Sequence, residues 1–289
     1  MITLGAEEFR RLAAIALREA GLYMPVSKRE FVSSRLHRRL RQTGIHDFGA
    51  YLDLLDSIGP EGMQERARFV SALTTNVTQV FREPHHFELL AVHLRQHPRN
   101  ASPAHMPYSI WSAGCSTGEE ALSIAATCFA EFGPTWHLHA RILATDVDEA
   151  VIQTAVTRDD AQGLCSAILE AAPRTRHTER ARLAGMEQLL AMLRKGIRFR
   201  QHNLLDALPE ATRFDAIFCR NVTIYFARDV QAIVQGKLFD RLNSGGLLTI
   251  GHSERLVIER ADIEPIGRTA FRRRNTHVTA SHKGERACR

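Results

Sequence analysis

The sequence predicts an α/β protein: a mostly parallel sheet with crossover helices, preceded by a small all-helical domain. Three observations predict it. Residues 1 to about 97 carry apolar positions at helical spacing. A breaker-rich run, His97-Pro-Arg-Asn-Ala-Ser-Pro103, reads as a linker. Beyond it, short apolar runs alternate with helical stretches, the pattern of βαβ units.

In chain order, Phe9, Leu12, Ala13, Ile15 and Ala16 define a first helix. Phe31, Leu36 and Leu40 line a second, which runs through Lys28, Arg29, Arg35, Arg38, Arg39 and Arg41 and ends at Gly44. Phe48, Tyr51, Leu52 and Leu55 form a third, and Gly59-Pro60 marks a turn. Phe87, Leu90, Val92 and Leu94 give one more helix. After the linker, strands are expected at 108–112, 141–145, 197–200, 214–219 and 247–250. Helices are expected at 119–132 and 230–242, the latter stopped by Asn243-Ser-Gly-Gly246. Ala161–Ala171 and Glu179–Leu193 read as helices around Pro173. The expected units are 1–97, 98–275 and a disordered polar tail, 276–289.

A length of 289 residues suits two domains. The 44% hydrophobic and 24% charged residues are ordinary for a globular chain. No apolar run approaches the roughly 20 residues of a membrane span. Glu7 and Glu8 argue against a secretory signal, so a cytoplasmic location is expected. The five cysteines (115, 128, 165, 219, 288) are widely spaced with no C-x-x-C pair, against disulfides and zinc. The net charge of +6 is concentrated in the second helix and at Arg272–Arg274. With no aromatic-rich basic groove for stacking bases, no nucleic-acid partner is expected.

The chemistry centres on Trp111-Ser-Ala-Gly-Cys-Ser-Thr-Gly-Glu-Glu120. Strand, Gly114-x-Ser116-x-Gly118, then helix lets a backbone approach a nucleotide closely. This is not the G-x-G-x-x-G of dinucleotide sites. Glu119 and Glu120 would repel a pyrophosphate and suit a cofactor with a cationic amino acid end, such as S-adenosylmethionine. An ordinary strand-to-helix turn accounts for the loop alone equally well. Asp146 at the end of the second strand suits ribose hydroxyls. Asp148 suits a helix cap. Asn203-Leu204 is placed to meet an adenine edge, or is a turn. Arg220-Asn221 follows the hydrophobic strand 214–219, where open sheets bind ligands. Arg220 also reads as an ion-pair residue, and Tyr225 as a core aromatic. Asn76, Thr78 and Arg82 sit in a hydroxyl-rich run that either closes a pocket or caps a helix. Fourteen histidines show no metal spacing, and adjacent His85-His86 on a helix should point apart, so no metal is expected.

Five segments together carry a resemblance: Thr74-Thr-Asn-Val-Thr-Gln-Val-Phe-Arg-Glu-Pro-His-His-Phe87, Trp111–Glu120, Ala144-Thr-Asp-Val-Asp148, Phe214-Asp-Ala-Ile-Phe-Cys-Arg-Asn-Val-Thr-Ile-Tyr-Phe226 and Gly251-His-Ser-Glu254. In this order, over about residues 25 to 275, the chain resembles CheR-type chemotaxis receptor methyltransferases. The resemblance implies a Rossmann-like methyltransferase domain behind a helical one. It implies S-adenosylmethionine as donor, leaving S-adenosylhomocysteine, and glutamates of chemoreceptor cytoplasmic helices as acceptors.

By matching position it implies that Asn76, Thr78, Arg82, Gly114, Glu119, Glu120, Asp146, Asn203, Leu204, Arg220 and Asn221 bind the cofactor. Arg220 and Tyr225 would be catalytic, and Arg35, Arg38, Arg39 and Arg41 would dock on acidic receptor helices. Thr223 replaces the usual Met, and Ala121-Leu122 the usual Pro-Tyr. Residues 157–198 lack the alternating pattern of the family's small β subdomain. The expectation is therefore a monomer that meets the membrane only through receptors and uses no tether at the receptor C-terminus. The rival readings are a non-catalytic cofactor-binding module and an RNA methyltransferase.

Overall fold

The computed structural model describes residues 3–96, 106–183, 185–208 and 212–274. The expected linker, 97–103, and the expected tail, 276–289, lie outside the described residues. Four helices open the chain: α1 (Ala6–Ala20), α2 (Arg29–Thr43), α3 (Phe48–Asp56) and α4 (Pro60–Leu73). Gly21 and Gly44, both left-handed, end α1 and α2. Asp47 caps α3 through the Ala50 N–H. Next come α5 (His85–Gln96), β1 (Tyr108–Ala113), α6 (Glu119–Phe132), α7 (Trp136–His139), β2 (Ala140–Asp146) and α8 (Glu149–Thr157). Then follow α9 (Ala161–Ala171), α10 (Arg176–Arg182), α11 (Met186–Arg194), β3 (Ile197–Gln201), β4 (Phe214–Cys219), α12 (Arg228–Asp240), β5 (Leu242–Ile250), β6 (Ile263–Pro265) and β7 (Ala270–Arg273).

The seven strands form one sheet in the order β3-β2-β1-β4-β5-β7-β6. The first five are parallel, and β7 runs antiparallel to both β5 and β6. Period-2 alternation splits the strand side chains between two cores. Ile110, Ala216 and Phe218 face one side, with Phe87, Leu90, Ile124, Phe129 and Trp136. Trp111, Ile217 and Leu248 face the other, with Phe9, Leu12, Leu36, Leu52, Phe69 and Phe239. The N-terminal helices therefore share a continuous core with one face of the sheet. The expected helical unit ending at 97 includes α5, whose packing is against α6 and β5. No described helix is long and apolar enough to cross a membrane.

Two local expectations are corrected. Asn243-Ser-Gly-Gly246 does not stop a helix: α12 ends at Asp240, and these residues lie within β5, where its register with β4 shifts. Asn243 Nδ2 donates to Asp215 Oδ1 at 2.7 Å and anchors that irregularity. The continuous helix expected over 179–193 is two, α10 and α11, with Gly185 as the extended N-cap of the second.

A third correction concerns α2. Arg35, Arg38 and Arg41 are exposed, but Arg39 turns inward. Its Nε and Nη2 reach Glu65 Oε1 and Oε2 at 2.9 and 2.5 Å, and Tyr51 donates to Oε1 at 2.8 Å. Neighbouring helical positions diverge by about 100°, so Arg39 cannot share the outward face of Arg38. Glu65, 2% exposed, thus ties α2 and α3 to α4. Glu65→Ala strands the guanidinium in a partly buried site and should cost about 3 kcal/mol. A urea midpoint unchanged from wild type would show that the pair carries no stability.

Candidate active site

The carboxyl edge of the parallel strands holds a cleft enclosing about 950 Å³, part of it open to solvent. At the end of β1, Gly114 adopts φ +86°, and a Cβ there would sit 2.3 Å from Val222 Cγ2. Only glycine allows β1 to turn against the segment after β4. The amides of Gly114 and Cys115 both donate to the Thr145 carbonyl, at 2.8 and 2.9 Å. That pins the loop to β2.

Two carboxylates face the cleft. Asp146 closes β2, and its Oδ2 and Oδ1 accept from the amides of Ser116 and Asp148 at 2.9 and 3.0 Å. Burial pushes its pKa up, against those amides. Glu120 is the second residue of α6 and accepts from Ser112 Oγ at 2.7 Å and Arg220 Nη1 at 3.2 Å. Burial pushes its pKa up as well, opposed by Arg220 and Ser112.

The run after α4 closes the cleft from the other side. Asn76 Nδ2 donates to Asp148 Oδ2 at 2.8 Å, and the Asn76 carbonyl accepts from Ser116 Oγ at 2.9 Å. Asp148 caps α8 through Ala150 N–H and also accepts from Ser71 Oγ at 2.7 Å. One carboxylate thereby joins the helical region to the sheet. Phe81 and Glu83 have left-handed φ of 50° and 57°, a strained turn that presents Arg82. The Phe81 amide is held by Ser123 Oγ at 2.8 Å.

Of the residues expected to bind cofactor, Asn76, Thr78, Arg82, Gly114, Glu120, Asp146, Asn203, Leu204, Arg220 and Asn221 line this cleft, with Tyr225. Glu119 does not. It faces away, paired to Arg158 Nη1 at 2.6 Å and accepting from Thr117 Oγ1 at 2.7 Å. Consecutive helical residues diverge, so only one of the two acids can face inward. Arg220 is placed differently from a free catalytic cation. Its side chain is 2% exposed and contacts Glu120, Glu83 and the Arg82 carbonyl, with its guanidinium carbon 5.5 Å from the centre of the Phe87 ring. Asn203 is fixed by Glu19 O at 2.7 Å and the Leu205 amide at 3.0 Å.

Sequence reasoning missed Ala20, Leu22 and His202 in the lining. Ala20 and Leu22 arrive because the chain after α1 pairs with Phe226, and the Tyr23 amide donates to the Tyr225 carbonyl at 2.8 Å. No local signal announces that pairing. It also missed Glu254. That carboxylate accepts from the amides of Asn221 (2.8 Å), Val222 (3.0 Å), Thr223 (2.6 Å) and Gly251 (2.5 Å), and from Thr223 Oγ1 (2.7 Å). It therefore sets the shape of the segment after β4, including Asn221 at φ +60°. A Cβ at Gly251 would lie 2.4 Å from Asn221 Nδ2, so Gly251 is part of the same fit.

The histidine pair also departs from expectation. The His85 and His86 rings do not point apart: their centroids are 4.1 Å apart, at 49°. His85 opens α5, where the chain has just left the strained turn, so the spread of a regular helix interior does not apply to it.

A parallel sheet of this order, with acidic groups beside a glycine turn at its carboxyl edge, defines an open α/β fold with a ligand cleft at the strand ends. Residues 7–74 match the all-alpha domain of CheR methyltransferases, and residues 76–271 match their SAM binding domain. The chemotaxis protein methyltransferase of Klebsiella aerogenes is 38% identical over 281 residues, covering 93% of this chain and 90% of its own. That of Salmonella typhimurium is 36% identical, covering 88% and 85%. Chemotaxis protein methyltransferase 2 of Pseudomonas aeruginosa is 37% identical, covering 92% of each. The chain belongs to the CheR methyltransferase family. It is an S-adenosylmethionine-dependent enzyme of chemotaxis.

Proposed function

We propose that this enzyme methylates glutamate side chains of chemoreceptor cytoplasmic helices, forming glutamyl methyl esters. One observation carries the reading: a single cleft gathers Glu120, Asp146, Asn203, Asn221 and Tyr225 from the ends of separate strands, closed by Asn76, Thr78 and Arg82. The donor set fits the cofactor. Glu120 is the one of the two adjacent acids that faces the cleft, suited to a cationic amino acid end. Asp146 suits the ribose, Asn203 and Leu204 the adenine, and Gly114 leaves room for close approach.

When bound, S-adenosylmethionine supplies an electrophilic methyl group on a sulfonium. The acceptor glutamate needs no base, because a free carboxyl with pKa about 4.3 is already ionised at neutral pH. The protein's part is alignment and water exclusion, worth roughly 7–11 kcal/mol when geometry is good. Tyr225 sits in the cleft wall, suited to orient the acceptor carboxylate by hydrogen bonding. Arg220, already committed to Glu120 and the Arg82 turn, acts as a positioning residue. Arg220→Ala should therefore weaken cofactor binding as well as turnover. Loss of turnover at unchanged cofactor affinity would return Arg220 to a direct role on the acceptor.

The exposed arginines of α2 give docking a physical basis, since acidic receptor helices complement them. Reversing Arg35, Arg38 and Arg41 to Glu should raise KM for receptor at least about tenfold at low salt, with KM for the cofactor unchanged. An unaltered receptor KM removes α2 from docking.

The enzyme works as a cytoplasmic monomer that reaches the membrane only through its receptors. Between α8 and β3 the described residues are helical, with no strand to accept an extended peptide. An isolated receptor C-terminal peptide should therefore bind no tighter than about 1 mM. Micromolar binding in calorimetry would contradict this.

A further inference from the structure

A cluster of metal-type donors lies outside the cofactor cleft, on the strained turn that leads into α5. Glu83, His85 and His86 each offer a ligand atom, and the three atoms lie within 4.8 Å of one another. His86 is fully buried, and its Nε2 is 2.8 Å from the Thr269 hydroxyl, which fixes the ring. Its Nδ1 faces Glu83 Oε2 at 3.4 Å. Both atoms are buried and neither has a hydrogen-bond partner. Buried polar atoms rarely go unmatched; Glu83 Oε2 has the Arg220 guanidinium 3.4 Å away, but His86 Nδ1 has no partner other than this carboxylate. On the open side, His85 is exposed, and His252, 66% exposed, places Nδ1 at 2.9 Å from Glu83 Oε1.

We propose that Glu83, His85 and His86 form a site for a divalent transition-metal ion. Two imidazole nitrogens and a carboxylate oxygen are a donor set of open zinc sites. The Thr269 hydroxyl supplies the outer contact that orients His86. Arg220 decides what binding would do. Its Nη2 is 3.4 Å from Glu83 Oε2, while Nη1 holds Glu120 at 3.2 Å. An incoming cation competes with the guanidinium for Glu83 and so loosens the group that holds Glu120. The ion is inhibitory, not catalytic.

The test is titration of the full chain with Co²⁺ alone, read by its d–d absorption, with Zn²⁺ calorimetry beside it. Wild type should take up one equivalent. His85→Ala, a change at an exposed side chain, should weaken binding at least tenfold without moving the metal-free melting temperature. Absence of uptake, or uptake that survives His85→Ala, overturns the site. Zn²⁺ should also inhibit methyl transfer by wild type, and His85→Ala should resist. Equal inhibition of both overturns the coupling. The binding readout does not depend on the acceptor assignment.

Discussion

Glu254→Gln is expected to lower kcat/KM by about 100-fold, the scale on which small misplacements of a reacting site act. Glu254 does not itself line the cleft but holds the backbone of residues that do. It collects five donors on two oxygens, four of them backbone amides of residues 221–223 and 251. Glutamine would turn an N–H₂ group towards N–H donors on one side and remove the charge that makes the remaining bonds strong. Hydrogen bonds to a charged group are worth about 1.5–3 kcal/mol each, so stability should also fall by a few kcal/mol. The segment released carries Asn221 and Val222, with Tyr225 just beyond it, all in the cleft wall. Both kcat and cofactor affinity should therefore drop. Because stability falls too, kinetics belong at a temperature where circular dichroism shows the variant folded. Wild-type kinetics from a folded variant would show that the Glu254 cradle does not position the site.

Glu120→Gln should weaken S-adenosylmethionine binding by about 10- to 150-fold, the worth of one charge-assisted contact of about 1.5–3 kcal/mol. Glu119→Gln is the paired control and should leave affinity within about twofold, because its carboxylate pairs with Arg158 away from the cleft. Equal losses from both would mean that the acids act only through overall charge. The pH dependence follows in sign. Burial raises the pKa of Glu120, so its ionised form, the one that attracts a cation, is lost as pH falls, and lost earlier than for an ordinary carboxylate. Affinity should decline on acidification from above the usual carboxylate range. Glu120→Gln should flatten that decline. Cofactor titrations by calorimetry across pH measure both.

The parallel strands were legible because each is a short apolar run next to a glycine or acidic turn. Phe214–Cys219, buried throughout, is the plainest case. The closing hairpin was not legible. β6 has three residues and β7 four, two of them arginines, so neither carries a periodic apolar signal. The site was legible to the level of the motif but not of the side chain. Glu119 and Glu120 read alike in a string, and helix geometry alone sends them to opposite fates. Arg38 and Arg39 repeat the lesson on α2, where the partner that captures Arg39 lies 26 residues away. Asp148 reads correctly as a cap, yet its bonds to Ser71 and Asn76 span more than 70 residues and belong to tertiary structure. Glu254 belonged to a recognised motif, but a carboxylate that shapes a loop from the far side leaves no sign of that task in sequence.

The most direct test of methyl transfer to receptor glutamates uses S-adenosylmethionine carrying a labelled methyl group, with membranes containing the source cell's receptors. The labelled receptor is then exposed to mild alkali. The label should be released as volatile methanol, because a glutamyl methyl ester is base-labile. Label that stays on the protein in alkali, or appears instead in RNA, would contradict it.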